Sequence, residues 1–389
     1  GKIHGVFKKW NSKGQLKIEG NYIDGKEDGV FNTWTEDGKL KSRIEFVDGR
    51  FNGKSQLWYT NGQLEEESHY LRGKKHGLTK KWHKSGMIKS EVQYIDGKMD
   101  GWFKKWFETG QLQAETRFVN GKKEDLSREW WDNNRLKAKA FFQNGKRQGI
   151  VKEWLSNGKM KRESFFVDGL LNGIFKEWND RGILKFAYQY LDGKKSGKSK
   201  SYYENGKIKE IAEFKDGKKY GKTMLLLSNG LTIEETDYSS GKRHGFCRKW
   251  HENGQLKYKA EFENGIQGGV EKHCFADGKL KTEIHYSAGK KHGLCVEYYK
   301  NGIQKMAANY IAGQPHGVVR FWRINGILIS QTEYKDGKKN GPFKIWFENK
   351  RLNREGNYKA GKLHGLIKTW SPNGQLKEEA KYSDGKLLK

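Results

Sequence analysis

Six histidines share one register of this chain: His4, His76, His244, His292, His316 and His364 stand at multiples of 24 residues from one another. Imidazole nitrogens bind transition metals, so such a row suggests a metal array. The spacing argues against it. If each 24-residue step is two strands wide, neighbouring imidazoles stand roughly 10 Å apart and cannot converge on one ion with bonds of about 2.1 Å. The register reads instead as a polar turn position, shared with Asn, Asp, Gln and Ser. Cys247 and Cys295 hold one register two steps apart, about 20 Å on the same spacing, too far for a disulfide. Cys274 stands between them, and so sparse and odd a count points to a reducing compartment. Gly20 to Lys26 and Gly356 to Lys362 follow Gly-x4-Gly-Lys, but lack the Ser or Thr of a phosphate loop and open no helix. Gly-x-Ser-x-Gly, His-Glu-x-x-His and Cys-x-x-Cys do not occur. Glu65, Glu66 and Glu67 read as solvent-facing charge on a strand. This pattern points away from an enzyme, a metal and a cofactor.

The remaining chemistry is electrostatic. The chain carries a net charge of +29, and its cations recur in rows. One row includes Lys8, Lys80, Lys104, Arg128, Lys152 and Lys176; others follow Lys17 and Lys26. Such rows suit nucleic acid, anionic lipid or an acidic protein. They equally suit a solvated sheet whose lysines discourage edge-to-edge association. The Lys8 row shares strand parity with a row of tryptophans, so its stems are expected across those rings. The apolar run Met224, Leu225, Leu226, Leu227 is a second candidate partner contact.

These side chains are positioned by a strict repeat. Glycine returns every 24 residues from Gly25, Gly49 and Gly73 to Gly385, sixteen times without insertion or deletion. An aromatic keeps the same period (Tyr22, Phe46, Tyr70 and onward to Tyr382), as does a row led by Trp10, Trp34 and Trp58 that lapses at Leu226 and Cys274. Leu16 leads an aliphatic row. A further glycine four residues after the tryptophan lapses at Asn134 and Lys350. A period of this length means a repeat architecture. Val6, Trp10, Leu16 and Tyr22 share parity, which reads as strand, and Asp-Gly or Asn-Gly between strand-like runs signals hairpins. Loops symmetric about residues 13 and 26 would set Trp10 opposite Leu16, Val6 opposite residue 20 and Tyr22 opposite Val30. Residue 20 is mostly small, leaving room for large rings, and most aromatics are expected to be buried. The fold class is all-β: an elongated repeat protein of sixteen 24-residue β-hairpin units in one long twisted antiparallel sheet, a single array over residues 1–389 with no linker. One hairpin buries too little to fold alone, so neighbour stacking must supply the rest. Only 34% of residues are hydrophobic, which suits a thin sheet better than a thick core.

The unit Gly-apolar-x-Lys-x-Trp-x-x-x-Gly-x-Leu-Lys-x-Glu-x-x-Tyr-x-Asp-Gly-Lys resembles the MORN repeat in its variant form, typical of bacterial proteins often labelled YwqK-like antitoxins. Gly77–Trp82 with Asp96-Gly97-Lys98, Gly245–Trp250 with Asn253-Gly254-Gln255-Leu256-Lys257, and Gly365–Trp370 with Asn373-Gly374-Gln375-Leu376-Lys377-Glu378 show it most clearly. The resemblance implies an antiparallel hairpin sheet that serves as a scaffold or interaction surface, with membrane binding proposed for some members. The expected function is therefore a non-enzymatic protein-interaction scaffold. The alternatives are an antitoxin or immunity protein acting on a cognate toxin, and electrostatic binding to nucleic acid or anionic membrane. Open sheet edges also allow end-to-end self-association. No stretch approaches about 18 consecutive apolar residues, and the expected compartment is the cytoplasm or the bacterial cell envelope. The chain starts at Gly1, within a unit, so an upstream signal peptide is compatible with it. Asp125, at an otherwise constant glycine, and the prolines Pro315, Pro342 and Pro372 mark the departures from the repeat.

Overall fold

A computed structural model of the chain describes residues 1–388. Every regular element among them is a β-strand. The chain divides into two units, Gly1–Lys194 and Lys195–Lys389. Within each, successive strands pair antiparallel in sequence order, a meander of hairpins.

Two turns alternate, and each is set by a backbone that L-residues resist. At the first, the Gly14 amide donates to the Asn11 carbonyl at 3.1 Å and the Asn11 amide to the Gln15 carbonyl at 2.8 Å. Gly14 takes φ 76°, the left-handed residue that follows a type I turn in a short hairpin loop. Asn134 and Lys350 hold the same place at φ 63° and 66°. At the second turn, Asp24 (φ 52°) and Gly25 (φ 83°) are both left-handed, the pattern of a two-residue type I′ loop, and Ile23 pairs directly with Lys26. Asp125, at φ 59° in place of glycine, ion-pairs with Arg117 at 2.7 Å.

This geometry corrects part of the expected register. Trp10 does lie opposite Leu16, but a bulge between Lys9 and Trp10 shifts the rest of the pair by one residue. Phe7 therefore faces Gly20, and Val6 faces Asn21. Because side chains alternate, the slip moves Val6 to the face opposite Tyr22. Tyr22 pairs with Glu27, not Val30, because the Asp-Gly loop holds only two residues.

The core is a ladder of position 7 and position 20 side chains. It includes Phe31, Ser55, Ser68, Thr79, Val92, Thr116, Ser127, Ala140 and Val151 in the first unit and Ser199, Ala212, Thr223, Thr236, Cys247, Ala260, Cys295 and Ala308 in the second, all buried. Size is traded along it: Gly20 leaves room for the Phe31 ring, where any Cβ would overlap it, and Gly356 lies between Phe343 and Ile367. Buried hydroxyls pair where they can, as Thr116 Oγ1 with Ser127 Oγ at 2.7 Å. The Tyr22 row packs beside this ladder. Phe7, Tyr22, Phe31, Phe46, Phe51 and Tyr70 form an edge-to-face series with centroids 4.8–5.6 Å apart. The later tryptophans of the Trp10 row are half-buried, and Trp10 itself is exposed, so the expectation of general aromatic burial does not hold for that row. It flanks the turns, where fewer neighbours reach.

Successive hairpins are also stapled at their turns. The amides of Asn61, Asn133, Asn253 and Asn301 donate to carbonyls of Lys84, Ser156, Ala276 and Ile324 at 2.6–2.9 Å. The Tyr59 and Tyr299 hydroxyls donate to the Trp82 and Trp322 carbonyls at 2.9 Å.

The left-handed backbone of the first turn costs a side-chain-bearing residue about 1–2 kcal/mol. Lys350→Gly is therefore expected to stabilise the chain by about 1 kcal/mol, and Gly14→Ala to destabilise it similarly. Urea unfolding of both variants checks this; a Lys350→Gly protein no more stable than the parent would refute it.

Candidate functional site

One face of the sheet carries residues 6, 8, 19, 21, 23 and 26 of each repeat; the other carries residues 7, 9, 18, 20, 22 and 27. The first is the face on which the Lys8 row lies. Lys8 faces Glu19 across the strand pair, and the hairpins of Lys80, Lys104, Lys152, Lys272, Lys344 and Lys368 repeat the juxtaposition. Lys8 Nζ lies 2.9 Å from Glu19, Arg128 3.1 Å from Glu115, and Lys152 and Lys176 3.2 and 3.8 Å from Glu163. In the second unit Arg248 lies 2.9 Å from Glu235 and Lys272 3.0 Å from Glu283. Lys80 sits between Glu67 and Glu91, and Lys104 between Glu91 and Glu115. The Lys8 row is thus half of an alternating charge ladder. Parity led to the expectation that its stems lie across the tryptophans; the charged ends named here turn to the glutamates instead. The other half, Glu19, Glu67, Glu91, Glu115, Glu163, Glu235, Glu283, Glu355 and Glu379, is the Glu of the repeat unit and keeps the same 24-residue period, but its pairing with the Lys8 row was not legible in the sequence.

Arg248 of the Lys8 row lies 4.6 Å from the Phe246 centroid, but the cations that cap the Tyr22 row come from position 27, a row not read from the sequence. Lys123 lies 5.0 Å from the Phe142 centroid, Arg147 5.4 Å from Phe166, Arg243 5.2 Å from Phe262 and Lys339 4.9 Å from Tyr358. They pair with the Tyr22 row and cover its ring faces where the first hairpins use Phe51 instead.

The apolar run in the second unit does not form one patch. Met224 stands opposite Ile211 and Glu235, whereas Leu225 points to the other face between Glu210 and Glu234. Leu227 lies in the turn beyond the strand, its amide bonded to the Leu231 carbonyl. Met224 lines a cavity of roughly 500 Å³ with Lys198, Lys200, Ile211 and Lys222.

Large apolar side chains are instead exposed at position 6: Val6, Leu78, Trp102, Ile150 and Ile174 in the first unit, Leu294 and Leu366 in the second.

The histidine register caps the Asp-Gly turns. Asp28, Asn52 and Asp100 of this register accept hydrogen bonds from the amides of Asp48, Arg72 and Asn120 at 2.9–3.2 Å. His76 and His316 lie 3.7 and 3.5 Å from Asp96 and Asp336. The three cysteines are free thiols, and burial pushes the Cys295 thiol pKa up. Between the Cys247 and Cys295 hairpins, buried Glu271 meets Gln267 at 2.5 Å and His273 at 3.0 Å. Burial, then the Glu271 charge, pushes the Tyr258 hydroxyl up to about 12.

On the ring-bearing face, Glu66 is gripped by Lys75 and Ser68 at 2.6 Å and by Lys81 at 2.9 Å. Burial alone would raise its pKa, but these hydrogen bonds outweigh it and hold the carboxyl at about 2.

The class these features define is a β-meander repeat protein that presents rows of side chains. Residues 3–24, 27–48, 51–71, 75–96, 147–168, 195–216, 243–264 and 363–387 match the MORN repeat variant, and the chain belongs to that family. No curated protein matches it. Among solved structures it is similar to a crystal structure of TcdB2-TccC3-Cdc42 (10% identity, 97% of this chain and 26% of that chain, TM-score 0.14). It is also similar to TcdB2-TccC3 without its hypervariable C-terminal region (10%, 96% and 24%, TM-score 0.16) and to a Photorhabdus luminescens Tc holotoxin pore (8%, 98% and 24%, TM-score 0.12). The chain spans about a quarter of the length of those solved chains, and superposition at that level establishes no shared architecture.

A carboxyl held below its ordinary value of 4.5 contributes stability that is present in full above that value and lost as pH falls toward 2. Glu66→Gln is expected to cost about 2 kcal/mol near neutral pH and almost nothing near pH 2. Urea unfolding of parent and variant at both pH values measures this; a gap between them that persisted in acid would refute it.

Proposed function

We propose that this chain is a non-enzymatic scaffold that binds another protein along one face of its sheet. The observation that supports this reading is the recurrence of exposed, large apolar side chains at position 6, on the face that also bears the charge ladder. Ile150 and Ile174 are 55% and 56% exposed. Apolar side chains gathered in water on one face favour association with a surface that removes them from it. The ladder supports a protein partner over a polyphosphate one. Its cations alternate with carboxylates along most of the row, so a nucleic-acid backbone laid on it meets repulsion as well as attraction. A protein surface can match both signs.

Immobilised chain, exposed to extract of its native source, is expected to retain a discrete protein in high salt, and that protein, once purified, to bind saturably. Retention of nucleic acid or lipid alone, released by moderate salt, would overturn the proposal.

A further inference from the structure

The same face differs between the two units in a way the 24-residue repeat does not require. Position 23 reads Ile23, Val47, Leu71, Ile95, Val119, Gln143, Val167 and Leu191 in the first eight hairpins, then Lys215, Ser239, Glu263, Ser287, Ile311, Lys335, Lys359 and Ser383 in the second eight. The aliphatic members are exposed, Val47 at 50% and Leu191 at 54%. All but Val167, which faces Leu170, face the basic row at position 26, as Val47 faces Arg50, Leu71 faces Lys74 and Ile95 faces Lys98. A solvated turn position has no use for an aliphatic row, and the second unit shows that polar residues serve there.

Two residues inward along the strands, the first unit carries a second apolar run. Trp102 pairs with Arg117, Leu126 with Phe141, and Ile150 with Phe165. Ile174 follows on the next hairpin. Trp102, Phe141, Ile150, Phe165 and Ile174 are all exposed. The run crosses seven strands, about 30 Å at the usual strand spacing of ~4.8 Å. Beyond it, the charge ladder loses its alternation: Arg128, Lys139 and Lys152 follow one another with no carboxylate between them. The apolar strip is therefore bordered by cations on both sides, the position 26 row at the turns and this cluster inward.

We infer that this strip of the first unit is the docking site for an acidic amphipathic α-helix of a protein partner, with an apolar stripe flanked by Asp and Glu. This deepens the scaffold reading and rests on it. A helix of about 20 residues is about 30 Å long, the length of the strip. Its turns, 5.4 Å apart, advance nearly in step with the strands beneath. Leucines spaced i, i+3, i+4, i+7 would cover Trp102 through Ile174, while flanking carboxylates meet Arg128, Lys139 and Lys152 on one side and Lys98, Lys122 and Lys146 on the other. Glu115 and Glu163, which interrupt the inner cations, favour this occupant over an anionic bilayer: a helix can place a neutral or basic residue against each, and a uniformly charged surface cannot.

The test uses the full chain and three probes: a labelled 20-residue amphipathic helix with leucines at those spacings and glutamates on both flanks, the same helix with lysines for glutamates, and vesicles of phosphatidylserine and phosphatidylcholine. The glutamate helix is expected to bind and the other two probes are not. Ile150→Thr with Ile174→Thr, both keeping a strand-favouring residue at an exposed site, should weaken binding by about tenfold or more. The same change at Leu294 and Leu366 in the second unit should leave it unaltered. Arg128→Gln with Lys152→Gln should weaken it and reduce its salt dependence. Equal binding of both helices, binding indifferent to the Ile150 and Ile174 changes, or capture of vesicles instead would each overturn the inference. A native partner that binds parent and Ile150→Thr, Ile174→Thr protein equally would overturn this site while leaving the scaffold reading standing.

Discussion

Asp24 and Gly25 both stand at positive φ, and the register of everything else follows from that two-residue turn. It fixes Ile23 against Lys26, so each strand leaves the turn with no freedom to slide. The bulge at Lys9 and Trp10 then shifts the other half of the hairpin by one residue. A one-residue slip in a sheet exchanges its two faces, so these two local devices decide which rows are packed and which are presented. The recurrence of Asp, Asn or glycine at the left-handed positions is thus a requirement of side-chain placement as much as of turn formation. Where Ala288, Ala312 and Ala360 occupy the position at φ 49–50°, the hydrogen-bonded turn around them holds a conformation the residue itself disfavours.

With register held constant over hairpin after hairpin, small pairwise interactions become rows. A single Lys–Glu contact on an exposed strand contributes little. Repeated on adjacent strands, it sets some carboxylates between two cations, as Glu163 lies between Lys152 and Lys176. The net charge of +29 is accordingly not a uniform coat. Part is matched within the ladder, part caps the Tyr22 row from position 27, and part lines the turns at position 26. On the packed face the same regularity lets very small side chains form a core. Ser68 is 1% exposed and Ala260 fully buried, because the taller rings and long charged chains of neighbouring rows close over them.

Against so regular a background, departures gain meaning. The aliphatic position 23 row of the first unit and the Arg128, Lys139, Lys152 cluster do nothing for the hairpin that another residue does not do elsewhere in the chain. Glu271 is a departure of another kind, a carboxylate in the buried ladder whose Gln267, His273 and Tyr258 neighbours replace the apolar contacts of its row.

The sequence by itself determined the period, the hairpin, the centre of the first turn with its pairing of Trp10 and Leu16, and the small residue at position 20, because each depends on local backbone preference or strict recurrence; the second turn, expected about residue 26, closes at Asp24 and Gly25. It could not assign the faces. Val6 and Tyr22 share parity in the chain yet lie on opposite sides, since a bulge leaves no mark in residue counting until the partner strand is in place. For the same reason the Lys8 row was legible while its partner row of glutamates was not read as one structure: residues eleven apart become neighbours only when paired. Met224 and Leu225 looked like one patch, and alternation along a strand separated them. The exposed strip from Trp102 to Ile174 draws on strands spread across much of the first unit, and only their lateral packing made it continuous.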